Sequence, residues 1–394
     1  MTDVQNLEKA ISQEASKCVK CGMCLPVCPT FHITDLENES PRGRISLMQG
    51  LTSHNLKTTS ELTGYLDHCV QCLACEKVCP AQVNYSTLIR NTRELLTDQK
   101  APLIHAVPKW LLWLVKHSRF WWPIHFLTWV GKTLGFTYLL RFKTTALLPR
   151  NMCFPKTLKS YYPAKTKSHG EVMLFTGCIN SLLTRQIVFD AIKVLTTLGY
   201  GIHLPAPNVC CGALHTLSGN YSESSKLTTQ TQNALSQKSL PIVSLTTGCQ
   251  AHLEHEGFKP KIFDINTFLK QALEKHPASL KPFSKKVVIH PPCTHRNSLK
   301  CEDDVVSLLN NIPKIKLSAP KRIHCCGAAG DYVLKFPNNA KQLGTELAQT
   351  LLKTHPDFIA SSNIGCELQL QKHIKALGKN TKVLHPVSIV AKTL

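Results

Sequence analysis

Two stretches of this chain carry the same thiols at the same spacing. CVKCGMCLPVCP runs from Cys18 to Pro29 and CVQCLACEKVCP from Cys69 to Pro80, each a C-x2-C-x2-C-x3-C-P quartet. Thiolates spaced in this way are ligands of [4Fe–4S] cubanes. Three cysteines three residues apart can curl around one corner of a cluster, while the fourth sits too far along the chain to close the same cube. The quartets are therefore expected to exchange their last members. Cys18, Cys21, Cys24 and Cys79 make one set, and Cys69, Cys72, Cys75 and Cys28 the other. Each closing proline turns the chain away, because it fixes φ and donates no hydrogen bond. Disulfides and paired zinc sites are the bland alternatives, but a zinc ribbon uses pairs of C-x2-C and not two matched quartets closed by Pro.

A second group of cysteines repeats further on. Cys178, the pair Cys210-Cys211-Gly212 and Cys249 are followed by Cys293, the pair Cys325-Cys326-Gly327 and Cys366, and the gap from first cysteine to pair is 32 positions in both copies. Neighbouring thiolates can bind different irons of one cluster, and a following glycine lets backbone come close to an inorganic core. One Cys-Cys-Gly alone would read as inert core, but two copies in register point to metal binding. Cys153 and Cys301 stand outside both patterns and read as ordinary cysteines. His203, His215, His290, His295 and His324 flank the cysteine motifs. Of these only His290 and His324 lie close to a cysteine in a repeated setting, and the first copy has no histidine at either place, so they read as supports and not ligands.

The elements that position these cysteines follow from composition and pattern. A chain of 394 residues has room for two or three cores. Its 18 cysteines sit beside a polar N-terminus with no apolar export segment, which argues for metal ligation in a reducing compartment. Residues 1–98 read as a helical, ferredoxin-like domain for two clusters, with Ser40-Pro41 starting a helix and Tyr85–Leu96 forming another. Arg42 and Arg44 are candidates to bond the cluster loops or a partner's carboxylates, or to form a solvated charge pair. Residues 171–280 and 281–394 alternate apolar runs with helical stretches, as expected for a duplicated α/β pair with parallel strands. Helices are expected over Ser181–Leu198 and Thr294–Asn310, and the cysteines should fall in loops just after strands, where α/β folds place their sites. The expected fold class is α+β overall.

Between these parts, residues 99–170 contain no Asp or Glu, twelve Lys and Arg, and all five tryptophans, from Trp110 to Trp129. The longest uncharged run, Phe120–Gly131, has twelve residues, short of the roughly twenty that a spanning helix needs. Basic residues interleaved with Trp and Phe suit helices lying in an anionic headgroup layer, or a docking surface for a protein partner. The net charge of +21 calls for an anionic partner, but no nucleic-acid motif accompanies it.

The layout resembles that of the iron–sulfur subunit of glycolate oxidase, within the CCG-domain family related to heterodisulfide reductase. The resemblance runs through both quartets, PRGRI at Pro41–Ile45, GC at Gly177-Cys178, CCGA at Cys210–Ala213, HPPC at His290–Cys293, CCGAAG at Cys325–Gly330 and NIGC at Asn363–Cys366. Less closely, the chain is similar to the C subunit of anaerobic glycerol-3-phosphate dehydrogenase and the B subunit of heterodisulfide reductase. The resemblance implies an electron-transfer subunit. A separate FAD-containing subunit would oxidise a 2-hydroxy acid, and this chain would pass electrons to quinone from the cytoplasmic face of the inner membrane. In one respect the chain departs from the heterodisulfide reductase form, whose last cysteine belongs to C-x2-C: here His252 and Gln369 follow Cys249 and Cys366 at that spacing. Each copy thus offers four cysteines, for a conventional [4Fe–4S] cluster, for a site completed by a partner, or for no cluster. No G-x-G-x-x-G follows a strand and no Walker motif occurs, so the flavin chemistry belongs to another subunit. Two other classes stand beside this one: a reductase acting on disulfide or quinone at a CCG cluster, and a metal-free docking scaffold.

Overall fold

The structure, a computed structural model, describes residues 3–99, 101, 158–205, 209–320 and 323–394. The tryptophan-rich stretch expected at a membrane surface or a partner lies mostly outside the described residues. Among those that are described, no helix is long and apolar enough to cross a membrane.

From residue 170 onward, strands alternate with helices and build two parallel sheets. β2 (Gly170–Phe175), β3 (Tyr200–His203), β4 (Ile242–Ser244) and β5 (Ile262–Asp264) lie in the order β3-β2-β4-β5. β6 (Lys286–His290), β7 (Lys316–Ser318), β8 (Phe358–Ser361) and β9 (Lys382–Leu384) repeat it as β7-β6-β8-β9. In both sheets the first strand is central and the order reverses beside it. That reversal opens a crevice at the carboxyl ends of the strands. An extra strand, β1 (Tyr161–Tyr162), pairs antiparallel with β3, so the first sheet begins within the stretch expected to be linker.

The sequence of β2 explains its central place. Val172 and Leu174 enter one apolar cluster while Met173 and Phe175 enter another, all four buried. A strand apolar on both faces needs helices on both sides, as parallel sheets provide. Val287 and Ile289 of β6 join the same large cluster as Val172, and Val288 faces away. One core is thus shared by the two repeats. Helix Arg185–Thr197 of the first copy packs on helix Pro386–Ala391 of the second, and helix Ile265–Lys275 of the first packs on helix Glu302–Asn310 of the second. The first helix of each copy meets the last helix of the other, the reciprocity of a two-fold relation.

The N-terminal module is helical, as expected. Helices Asp3–Ser16 and Tyr85–Asp98 pack on each other, and Asp3–Ser16 also packs on Pro41–Thr52. Ile11, Met48, Leu88 and Ile89 are fully buried among them. Helix Pro41–Thr52 starts as its sequence suggests, with Ser40 as N-cap accepting from the Gly43 amide and Pro41 in the first turn.

Two expected helices are broken. The first runs as Cys178–Leu183 and Arg185–Thr197, with Thr184 between them. The second is a π-helix, Thr294–Leu299, ended by Lys300 at φ 53°, before helix Glu302–Asn310 begins. Wide helical turns of this kind concentrate at functional sites.

Leu308 is fully buried in the shared core. Leu308→Ala should therefore lower stability by about 2–5 kcal/mol and loosen both repeats together. Hydrogen exchange followed by mass spectrometry in rising urea checks this: opening of the second repeat alone would show that the shared core does not couple the two.

Candidate iron–sulfur centres

The two quartet loops share one backbone path. Two residues after the first cysteine of each quartet, Lys20 and Gln71 have φ of 55° and 49°; four residues after it, Gly22 and Leu73 have φ of 84° and 57°. Left-handed conformations are costly for residues with a side chain, so their recurrence at matched places marks a shape that the loop must adopt. Cys18, Cys21, Cys24 and Cys79 line one cleft, together with Cys75 and Arg42. Burial pushes the Cys75 thiol well up, and the thiols of Cys72, Cys69, Cys28 and Cys24 push it further. Burial likewise raises Cys72. Crowded, buried thiols resist losing their protons one at a time, and a polynuclear cation that binds several thiolates at once offsets that cost. The donor set fits iron–sulfur clusters.

PRGRI ties these loops to the helix behind them. Arg42 Nη1 donates to the Lys20 carbonyl at 3.1 Å, and its Nε to Glu37 Oε1 at 2.7 Å. Gly43 has no room for a side chain, since a Cβ would lie 1.9 Å from the Glu37 carbonyl oxygen. Arg44 is buried. Its Nε donates to the Tyr65 carbonyl at 2.6 Å, its Nη1 to Thr30 Oγ1 at 3.0 Å, and its Nη2 to the buried Glu39 carboxylate. Thr30 Oγ1 in turn lies 3.3 Å from Cys28 Sγ. Although burial opposes its charge, the neighbouring Cys69, Tyr85, Glu39 and Cys28 hold Arg44 firmly protonated. Of the sequence alternatives for Arg44, bonding within the cluster module is the one realised. Glu39 escaped sequence reasoning, because an acidic residue in a polar turn looks like surface.

Both cysteine-rich repeats gather their four thiols at the crevice beside the central strand. Cys178 opens the helix after β2, and its Sγ lies 3.9 Å from that of Cys210. In the second repeat, Cys326 Sγ lies 2.8 Å from Cys366 Sγ. The hydrogen bond with Cys249 raises the Cys211 thiol, and burial adds to it. Burial pushes Cys293 up to about 12, with Cys325 adding to the rise. Contrary to expectation, Cys249 and Cys366 sit in the first turns of helices Thr247–His255 and Ile364–Ala376, not in loops. The role of the glycines also differs. Gly212 and Gly327 have φ of 87° and 73°, and a Cβ there would meet Ser224 at 2.7 Å and Ala340 at 2.9 Å. They are glycine for the turn and for the helix behind, not for the side facing the thiols.

Neither residue standing in for the fifth cysteine points to ligation. His252 Nε2 lies 3.2 Å from Thr228 Oγ1, which itself donates to the Cys211 carbonyl at 2.8 Å. That imidazole must supply the proton, so it props the cysteine pair. Gln369 Nε2 donates to the Ala340 carbonyl at 2.9 Å. The flanking histidines scatter: His203 bonds Glu171 at 2.8 Å, His324 stacks on His32, and His290 meets Ser361 Oγ at 3.0 Å. His215 is buried in helix Ala213–Leu217. Glu367 escaped sequence reasoning. It follows Cys366 and is half-buried, and desolvation raises its carboxyl to about 8, which favours the neutral form near the thiols.

The second repeat abuts the second quartet. Cys72 and Cys325 pack against one apolar cluster of Val70, Tyr332, Phe336 and Ala340. Asn297 Nδ2 donates to the Cys72 carbonyl at 2.6 Å, and Lys77 Nζ to the Arg296 carbonyl at 3.1 Å. Arg296 itself favours the thiolates of Cys293, Cys325 and Cys366.

The 4Fe-4S dicluster domain family matches residues 14–83, and the cysteine-rich domain family matches residues 172–254 and again 287–371. The chain thus carries a 4Fe-4S dicluster domain and two cysteine-rich CCG domains. Among its relatives, the glycolate oxidase iron–sulfur subunit of Escherichia coli is 27% identical over 96% of this chain and 93% of its own length. The probable glycolate oxidase iron–sulfur subunit of Bacillus subtilis is 26% identical over 97% and 95%. The C subunit of the anaerobic glycerol-3-phosphate dehydrogenase of Escherichia coli is 24% identical over 61% and 63%. A crystal structure of a hypothetical protein from Helicobacter pylori superposes with a TM-score of 0.58 at 12% identity, covering 98% of this chain and 72% of that one, a likeness of fold alone. With these domains and relatives, the chain has an oxidoreductase electron-transfer role.

Two outcomes are expected from this geometry. Cys28→Ser should damage the cluster of Cys69, Cys72 and Cys75 and spare that of Cys18, as read by EPR of the reduced protein; loss of the Cys18 signal instead would overturn the exchange. Arg44→Met leaves the buried Glu39 carboxylate with His68 as its remaining charged partner and should cost about 3–5 kcal/mol. Adding Glu39→Leu should recover part of it in anaerobic melting curves, and a double variant no more stable than the single one would count against the buried pair.

Proposed function

We propose that this chain is the electron-transfer subunit of a membrane-associated, flavin-dependent 2-hydroxy acid dehydrogenase, with glycolate as donor and quinone as acceptor. In it, Cys18, Cys21, Cys24 and Cys79 hold one [4Fe–4S] cluster and Cys69, Cys72, Cys75 and Cys28 a second. The sets Cys178, Cys210, Cys211, Cys249 and Cys293, Cys325, Cys326, Cys366 hold one or two more. Bound clusters supply single-electron transfer. One observation supports this above all: Cys72 and Cys325 pack against one apolar cluster, so the second quartet and the second cysteine-rich set meet through protein.

The residues of this chain divide the remaining work. Arg42, Arg44 and Arg296 hold the cysteine loops and offset their negative charge. Around the first quartet, Val19 and Met23 are exposed apolar side chains beside the exposed Cys21. They form the contact face for the FAD-containing subunit, since large exposed apolar side chains that cluster mark a partner site. Residues 99–170 lie on the anionic inner-membrane surface, held by their basic and tryptophan residues. Removing two electrons and a proton from a hydroxy acid is work for a flavin. The names of the glycolate oxidase relatives favour glycolate; those of the glycerol-3-phosphate and lactate relatives make these donors the alternatives.

The purified chain alone should oxidise none of these donors. With its flavoprotein partner it should pass electrons to a quinone, and Cys21→Ser should abolish quinone reduction while substrate still bleaches the flavin. Oxidation of glycolate by the single chain would overturn the conduit role, and a Cys21→Ser complex running at full rate would place the first quartet off the path.

A further inference from the structure

Asp264, His295 and Cys301 lie together where the two cysteine-rich repeats meet, His295 two residues after Cys293. Asp264 ends β5 of the first repeat, whereas His295 sits on the π-helix of the second and Cys301 follows that helix. One donor atom from each lies within 4.8 Å of the others. His295 Nε2 is 3.0 Å from Asp264 Oδ2, and both residues are buried. The chain folds back on itself here, with the Cys301 amide donating to the His295 carbonyl at 3.1 Å.

An imidazole–carboxylate ion pair alone leaves this place incomplete. His295 is fully buried, and its ring also interacts with the Cys301 side chain. His385 Nε2, buried close by, has no hydrogen-bond partner. A buried polar atom without a partner costs about 1–3 kcal/mol and calls for a missing ligand. His385 is not itself a ligand: its Nδ1 accepts from the Val387 amide at 3.2 Å, so the neutral ring keeps its proton on Nε2.

We propose that Asp264, His295 and Cys301 form a zinc site that joins the two repeats. Carboxylate oxygen, imidazole nitrogen and thiolate sulfur together are a donor set that zinc accepts, with nitrogen and oxygen at about 2.0–2.2 Å and sulfur at about 2.3 Å. Two such light ligands at a tetrahedral angle are about 3.4 Å apart, close to the 3.0 Å seen between His295 Nε2 and Asp264 Oδ2. The fourth position falls to water, an acceptor for the His385 Nε2–H. Cys301, which is only partly buried, gives the ion its way in. The first repeat has no second copy of the site, because Asn180 stands two residues after Cys178 where His295 stands after Cys293. A zinc ion here would also steady the π-helix, whose next two residues, Arg296 and Asn297, reach the second cysteine-rich set and the Cys72 carbonyl.

The test uses the whole chain, purified anaerobically with its iron in place, supplied with zinc chloride and desalted. Metal analysis should find about one zinc per chain. X-ray absorption at the zinc edge, which does not see the iron, should find one sulfur and two or three nitrogen or oxygen neighbours. Cys301→Ser and Asp264→Asn should each cut the bound zinc at least about tenfold with iron content unchanged. Three results would overturn the site: a wild-type chain without zinc, a zinc shell of sulfur alone, or a Cys301→Ser chain that keeps its zinc. The wild-type spectrum decides the matter even if both variants fold poorly.

Discussion

Negative charge gathered in the interior is the constraint on which this structure depends. Thiols that ligate must be thiolates, yet here they are buried and crowded, and both effects resist ionisation. Iron would relieve that penalty in the holoprotein, and the polypeptide answers it with fixed positive groups. Arg44 is buried against Cys28 and Cys69, and Arg296 lies beside Cys293, Cys325 and Cys366. Even the acid nearest the second cysteine-rich set, Glu367, is held in its neutral form. The PRGRI segment is best understood in these terms: a helix start that places one arginine on a cluster loop and another inside the module.

Duplication supplies a scaffold, and asymmetry makes it useful. Both repeats use the same strand order and offer four thiols at the same crevice, and their helices pack reciprocally around one core. Among the described residues, it is the second set that has the Cys72 loop packed against it, through Cys325 and its apolar neighbours. The π-helix between Cys293 and Cys301 makes this junction. In six residues it carries His295 towards the first repeat, Arg296 towards the thiols and Asn297 towards the second quartet. Successive side chains fan out around a helix axis, so three neighbours serve three directions.

Much of this was legible in the residues alone. The quartets and the duplicated α/β repeats follow from spacing and pattern, because cysteine spacing and strand–helix alternation are local properties written along the chain. Tertiary structure decided what depends on distant partners. No spacing rule could reveal that Arg44 is buried on Glu39, or that the glycines of the two Cys-Cys-Gly motifs face Ser224 and Ala340. Nor could it reveal that Cys301, alone in its stretch, lies beside a histidine of its own repeat and an aspartate of the other. Each of these is a contact across the fold, and burial, which sets the cost of a charge or the worth of an empty Cβ position, exists only once the elements have packed.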